Sequence, residues 1–156
     1  MLIDLHHVDG EYEWYSTDDE QAYRFNRKKM GANWRYATEK ITYKFNSLGY
    51  RTKEVEDLDK DFLLTFGCSF TEGVGIAEDD IWTRHVANYC NLDLFNASKQ
   101  ASSSLVPYQN AIMWKANNLP VPKLVVCQWP QKTRRLFGDT HNQFFITLHD
   151  RSETKT

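Results

Sequence analysis

Ser69 stands between Gly67 and Gly73 in the stretch DFLLTFGCSFTEGVGI, which runs from Asp61 to Ile76. A serine flanked by glycines, where the backbone can turn sharply and a substrate can come close, is placed to act as a nucleophile. Its hydroxyl is a poor nucleophile until a base takes its proton, and the tetrahedral intermediate that follows needs donors for its oxyanion. Cys68 is a second nucleophile by type, since a thiolate at a helix N-terminus has a lowered pKa. No histidine stands beside it in sequence, so packing is the favoured reading. A phosphate-binding loop is excluded, because that motif requires a lysine that Glu72-Gly73-Val74 does not offer.

The elements that must position Ser69 follow from hydrophobic patterning. Phe62 to Phe66 is a short apolar run, the composition of a parallel strand buried on both faces. Ligands of open α/β sheets gather beyond the carboxyl ends of such strands, which is where Ser69 falls. Asp79 or Asp80 caps a predicted helix over 81–90, with Ile81, Trp82, His85, Val86, Tyr89 and Cys90 on its packed face. Leu92 to Asn96 reads as a second strand and leads into a polar loop through Ser102. A second helix is predicted from Ser104 to Asn117, with Pro107 in its first turn and Leu105, Tyr108, Ile112 and Ala116 as its buried stripe. Leu124 to Gln128 reads as a third buried strand, stopped by Trp129-Pro130. Strands alternating with helices imply parallel pairing through right-handed crossovers.

Upstream, Thr17 and Glu20 have capping-box spacing for a helix over about 18–30, with basic residues in its last turn and Gly31 as its stop. Ile41 to Asn46 alternates apolar and polar as a half-exposed strand does, and Asn46 to Arg51 forms a turn. One more strand is predicted over Gln143 to Leu148.

The pattern G-x-S-F-T-x-G, Gly67 to Gly73, resembles the first sequence block of the SGNH (GDSL-like) hydrolases. Asn46 to Arg51, N-x-x-G-[FY]-R, is similar to the lead-in of many SGNH-type proteins, so the likeness begins near Ile41. It implies an α/β fold, a three-layer α/β/α sandwich with a short parallel sheet of flavodoxin-like SGNH type. That domain would cover 41–156 and be incomplete at its C-terminal end, with residues 1–40 as an N-terminal appendage. The activity implied is that of a serine esterase, an O-acyl hydrolase or acyl transferase working through an acyl-Ser69 intermediate, with acylated carbohydrate as a substrate class.

The same resemblance assigns the oxyanion donors. They would be the N–H of Ser69, a backbone N–H from the second block and an asparagine amide from the third. Asn96 to Ser102 is similar to the second block, with Ala101 where the family has glycine, and its N–H serves if the local φ is negative. In place of the third block stand Gln128, Trp129, Pro130 and Gln131, so that Gln128 or Gln131 would supply the amide and Trp129 would line the site. The family's base is the histidine of a D-x-x-H element. Asp139-Thr140-His141 departs from that spacing and His149-Asp150 reverses the order, which leaves His141 as the candidate base. A reading of a different class stays open: a catalytically inactive SGNH scaffold serving as a binding or structural component of a larger particle. The elements G-C-S-F-T and Q-W-P resemble sequences carried by marine phages and their bacterial hosts.

Composition narrows the partners. The 156 residues are 41% hydrophobic and carry a net charge of −2, enough for a real core and too balanced for a nucleic-acid partner. No segment approaches the roughly 20 apolar residues that span a bilayer. The N-terminus lacks the pattern of a secretory signal, so a cytoplasmic or virion-associated protein with no membrane partner is expected. Cys68, Cys90 and Cys127 read as reduced thiols, neither a disulfide framework nor a zinc site, and no cofactor or metal is expected. His6-His7 is not a metal pair, His85 is expected to pack in the core, and Trp14 and Trp34 likewise. A short sheet leaves an edge, which a second copy of the chain or a partner would cover.

Overall fold

Continuous apolar runs and strict alternation both occur in this chain, and they end up in different sheets. The computed structural model describes residues 10–14, 20–131, 134–138 and 145–149. In chain order the elements are β1 (Gly10–Trp14), α1 (Glu20–Met30), β2 (Ile41–Phe45), β3 (Phe62–Phe66), α2 (Ser69–Glu72), α3 (Trp82–Tyr89), β4 (Asp93–Asn96), α4 (Leu105–Ala116), β5 (Leu124–Cys127), β6 (Arg134–Gly138) and β7 (Phe145–His149).

The architecture is mixed α/β around a three-stranded parallel sheet of order β4-β3-β5. β3 is central, and none of its five residues is more than 2% exposed. Its alternation sends Phe62, Leu64 and Phe66 to one face, where they pack with Tyr50, Phe95 and Trp114 of α4. Leu63 faces the other way, onto Ala87 of α3 and Leu94. The two crossover helices therefore cover opposite faces of the sheet. Full burial of a Leu or Phe side chain contributes about 1.5–3 kcal/mol, so β3 anchors the domain.

Three expectations about packing are corrected. β5 is an edge strand, and Leu124 and Val125 are exposed where a third buried strand was expected. In α4 the buried residues are Val106, Pro107, Asn110 and Trp114, whereas Leu105, Tyr108, Ile112 and Ala116 face outward. Asn110 Nδ2 donates to the Tyr50 hydroxyl at 2.9 Å, and Trp114 packs edge-on against Phe95 with its Nε1 donating to the Pro120 carbonyl at 2.8 Å. Those contacts select one of two apolar stripes. In α3, Thr83 and Ala87 are buried with the preceding Ile81, while His85, Tyr89 and Cys90 are exposed. The small Ala87 lets the helix approach the sheet closely. Neither Asp79 nor Asp80 caps this helix: Ile81 is its N-cap, and Asp80 is engaged by Arg35 Nη1 at 2.5 Å.

β2 alternates as expected, Ile41 and Tyr43 inward, Thr42 and Lys44 outward, and pairs antiparallel with β1 from Gly10↔Phe45 to Trp14↔Ile41. β7 lies close to the strand expected near the end of the chain. Its antiparallel partner β6, in register Arg134↔His149, was not anticipated. α1 buries no residue, and its expected N-cap Thr17 lies outside the described residues, as do His6 and His7. Trp34 is half-buried between the rings of Tyr23 and Tyr36. Among the described residues no helix is long and apolar enough to cross a membrane.

Candidate functional site

Ser69 is the first residue of α2, one helical turn set directly on the end of the central strand. Cys68 precedes it in extended conformation, and its carbonyl accepts from the N–H groups of Thr71 and Glu72, both at 2.9 Å. The Ser69 carbonyl accepts from Gly73 N at 2.9 Å and Val74 N at 3.0 Å, which closes the turn. Gly73 adopts φ 83°, the left-handed conformation that ends a helix at little cost only in glycine. A Cβ there would also stand 2.5 Å from Cδ1 of Ile81. The glycines around the serine thus have separate tasks, Gly73 required by conformation and Gly67 by crowding, since a Cβ there would stand 2.6 Å from the Thr71 Cβ.

Backbone carbonyls at the end of β3 tie the three strands to this turn. Phe66 O accepts from Gln128 N at 2.9 Å, and Gly67 O accepts from the Ser102 hydroxyl at 2.9 Å. Asn96 is 1% exposed: its Oδ1 accepts from Thr65 Oγ1 at 3.1 Å and Ser98 N at 3.3 Å, while Nδ2 donates to Thr71 O at 2.7 Å. Its amide therefore bolts β4 to α2 from within. Gln128 is half-buried just past β5, with Oε1 accepting from the Thr71 hydroxyl. That bond leaves Nε2 as the amide donor of Gln128. The Gln100 N–H donates to the buried Glu72 carboxylate, which seats the loop carrying Ala101 against α2.

Ser69, Asn96, Ala101 and Gln128 are thus brought together around α2. Ala101 has φ 59°, so the condition of a negative φ is not met. It occupies the conformation that glycine adopts freely and alanine resists. Trp129 is 60% exposed beside this group, and Gln131 is exposed further along. Pro130 O accepts from Ser104 Oγ at 3.3 Å, bringing Trp129 next to the start of α4. His141 lies outside the described residues. The Ser69 hydroxyl makes no hydrogen bond among the described residues, and His85 is exposed on α3.

The roles of two residues that stood in sequence only as motif positions were missed. Thr71 is fully buried and joins Gln128 through its hydroxyl and Asn96 through its carbonyl. Arg51 is 1% exposed, lies over the Tyr43 ring with Cζ 3.9 Å from its centroid, and donates to Gly73 O at 2.6 Å and Ile76 O at 3.1 Å. Hydrogen bonds to a charged group contribute about 1.5–3 kcal/mol each, enough to offset much of the desolvation of a guanidinium. The alternation of β2 was the signal for an inward Tyr43. Arg51 stood in the sequence only as the last residue of the N-x-x-G-[FY]-R turn, which gave no sign of the backbone carbonyls it meets.

Burial pushes the Cys127 thiol above its ordinary pKa, which keeps it protonated at neutral pH. Cys68 is buried, and Cys127 is half-buried. Among the described residues no three His, Cys, Asp or Glu side chains cluster as metal ligands do. An apolar groove of about 520 Å³ lies away from Ser69, between α4 and the β5 edge, with Phe66, Trp114, Leu119, Val121 and Val125 in its lining. The fold and site define an α/β domain with a serine on a glycine-bounded turn at the carboxyl end of its central strand. No family model, curated protein or solved structure matches the chain.

Proposed function

We propose that the protein is a serine-dependent ester hydrolase or O-acyl transferase of SGNH type, acting through an acyl-Ser69 intermediate. The observation that carries this reading is the position of Ser69 at the head of α2, beyond the end of β3, from which the chain crosses first to β4 on one side and then to β5 on the other. The order β4-β3-β5 is also that of the first three strands in the flavodoxin-like arrangement 2-1-3-4-5, whose ligands bind at that reversal. In this reading Ser69 attacks the ester carbonyl, and its own N–H and the Gln128 Nε2 donate to the oxyanion, with the Gln131 amide as the further donor, or the Ala101 N–H if it is held there against the strain of its positive φ. His141 is the candidate for the base that takes the serine proton, and the exposed Trp129 offers a stacking face for an acylated sugar. Labelling with a fluorophosphonate, read by intact mass, tests the assignment. A single adduct is expected on the parent chain and none on Ser69→Ala, while an unlabelled, folded parent overturns it.

A second reading is favoured by the exposed β5 edge and its apolar groove, which suit a non-catalytic scaffold that associates with a second copy or a partner. Its mark is association that Val125→Lys weakens, on a chain whose Ser69 does not label.

A further inference from the structure

We infer that Arg51 and Tyr43 are positioning residues for Ser69, a second layer that fixes the nucleophile from behind; this rests on reading Ser69 as the nucleophile. The turn that carries Ser69 is only one helical turn long, and its far end is the loop Gly73 to Ile76. Three groups from β2 and the turn after it hold that loop. Arg51 Nη1 donates to Gly73 O at 2.6 Å and Nη2 to Ile76 O at 3.1 Å, while the Tyr43 hydroxyl accepts from Gly75 N at 2.7 Å. The Tyr43 ring lies under the guanidinium and fixes its plane. Gly73 N in turn donates to the Ser69 carbonyl at 2.9 Å, so the held loop is one hydrogen bond from the serine backbone.

The route by which Arg51 reaches this place explains the N-x-x-G-[FY]-R element. Asn46 Oδ1 accepts from Leu48 N at 3.1 Å and Tyr50 N at 2.9 Å, and its Nδ2 donates to Lys53 O at 3.0 Å. Gly49 takes φ 77° within that turn. Tyr50 is then driven into the core and Arg51 under the Ser69 loop. An arginine fits where a lysine does not, because two carbonyls and a ring face must be met at once from one planar fork.

The test measures saturation kinetics of fluorophosphonate labelling at Ser69 in Tyr43→Phe and Arg51→Lys, alongside Ser69→Ala. Trp114→Phe serves as the comparison, since it too removes one buried aromatic donor or acceptor, but at the far end of α4. The maximal labelling rate is expected to fall about tenfold in Tyr43→Phe and further in Arg51→Lys, with the reagent's half-saturation concentration unchanged. Trp114→Phe is expected to lower the melting temperature and leave the rate alone. Rates in the first two variants that match the parent, or fall no further than in Trp114→Phe, overturn the positioning role while Ser69 keeps its own. A folded parent that does not label at all removes the nucleophile reading and this inference with it.

Discussion

Gly67 lies directly against Thr71: a Cβ added to the glycine would stand 2.6 Å from the Thr71 Cβ, and closer still to its hydroxyl. Thr71 cannot move aside, because it is fully buried with its hydroxyl on Gln128 and its carbonyl on Asn96. Gly67→Ala is therefore expected to destabilise the domain by about 1–3 kcal/mol, the usual range for forced overpacking. Urea unfolding measures this directly. An unchanged midpoint would mean that the strand-to-helix turn has room for a methyl group.

Asp93 makes stability depend on pH. Its side chain is 7% exposed, and burial alone would raise its pKa. Lys53 Nζ at 2.8 Å, Asp59 N at 3.1 Å and Leu94 N at 2.8 Å outweigh burial and hold the carboxyl below the usual range. A depressed folded-state pKa contributes stability that is present above the unfolded value of about 3.9 and lost as pH falls through the folded value. Asp93→Asn should cost about 1–2 kcal/mol at neutral pH, the Lys53 share being small because that side chain is partly exposed. The difference from the parent should shrink below about pH 4. Paired denaturation curves at pH 7 and pH 3 read the effect, and a difference that grows in acid would contradict it.

β3 and the alternation of strand and helix around it were legible in the sequence because a continuous apolar run admits few fates in a chain of this size. β2 was legible through its alternation. The buried faces of the helices were not. α4 carries apolar residues on two faces, Leu105, Tyr108 and Ile112 on one and Val106, Pro107 and Trp114 on the other, and only Tyr50, arriving from a distant turn, gives Asn110 a reason to be inside. The burial of β5 was misread for a related reason: an apolar strand looks the same at an edge as in the middle, and topology decides. At the site, glycine spacing exposed the turn that holds Ser69. Arg51 and Thr71 were legible as motif positions, but their roles stayed hidden because their partners are backbone carbonyls and an amide contributed by other elements. The positive φ of Ala101 was hidden as well, since alanine gives no signal of a left-handed conformation.

The cysteines should separate by reactivity toward iodoacetamide in the folded chain. Cys90 is exposed after α3, Cys127 is half-buried with its thiol pushed up by desolvation, and Cys68 is buried beneath the Ser69 turn. A raised pKa lowers the thiolate fraction, and the thiolate is the reactive form. Alkylation followed by peptide mapping should find Cys90 modified first, Cys127 more slowly and Cys68 last. All three should react alike in urea. Early modification of Cys68 in the native chain would show that the turn opens readily.

Ala101 offers a stabilising substitution that also bears on the oxyanion assignment. At φ 59° its Cβ crowds the following carbonyl, a strain of about 1–2 kcal/mol for a residue other than glycine. Ala101→Gly relieves that strain but loosens the unfolded chain, which returns about 0.4–1 kcal/mol. The net expectation is a gain of about 0.5–1 kcal/mol, visible as a raised melting temperature. Its side chain is exposed, so no packing is lost. If the Ala101 N–H donates to the oxyanion, fluorophosphonate labelling should be retained or accelerated, because glycine keeps the N–H in the same place. A stabilised chain that labels more slowly would show that the Ala101 side chain, rather than its N–H, matters to Ser69.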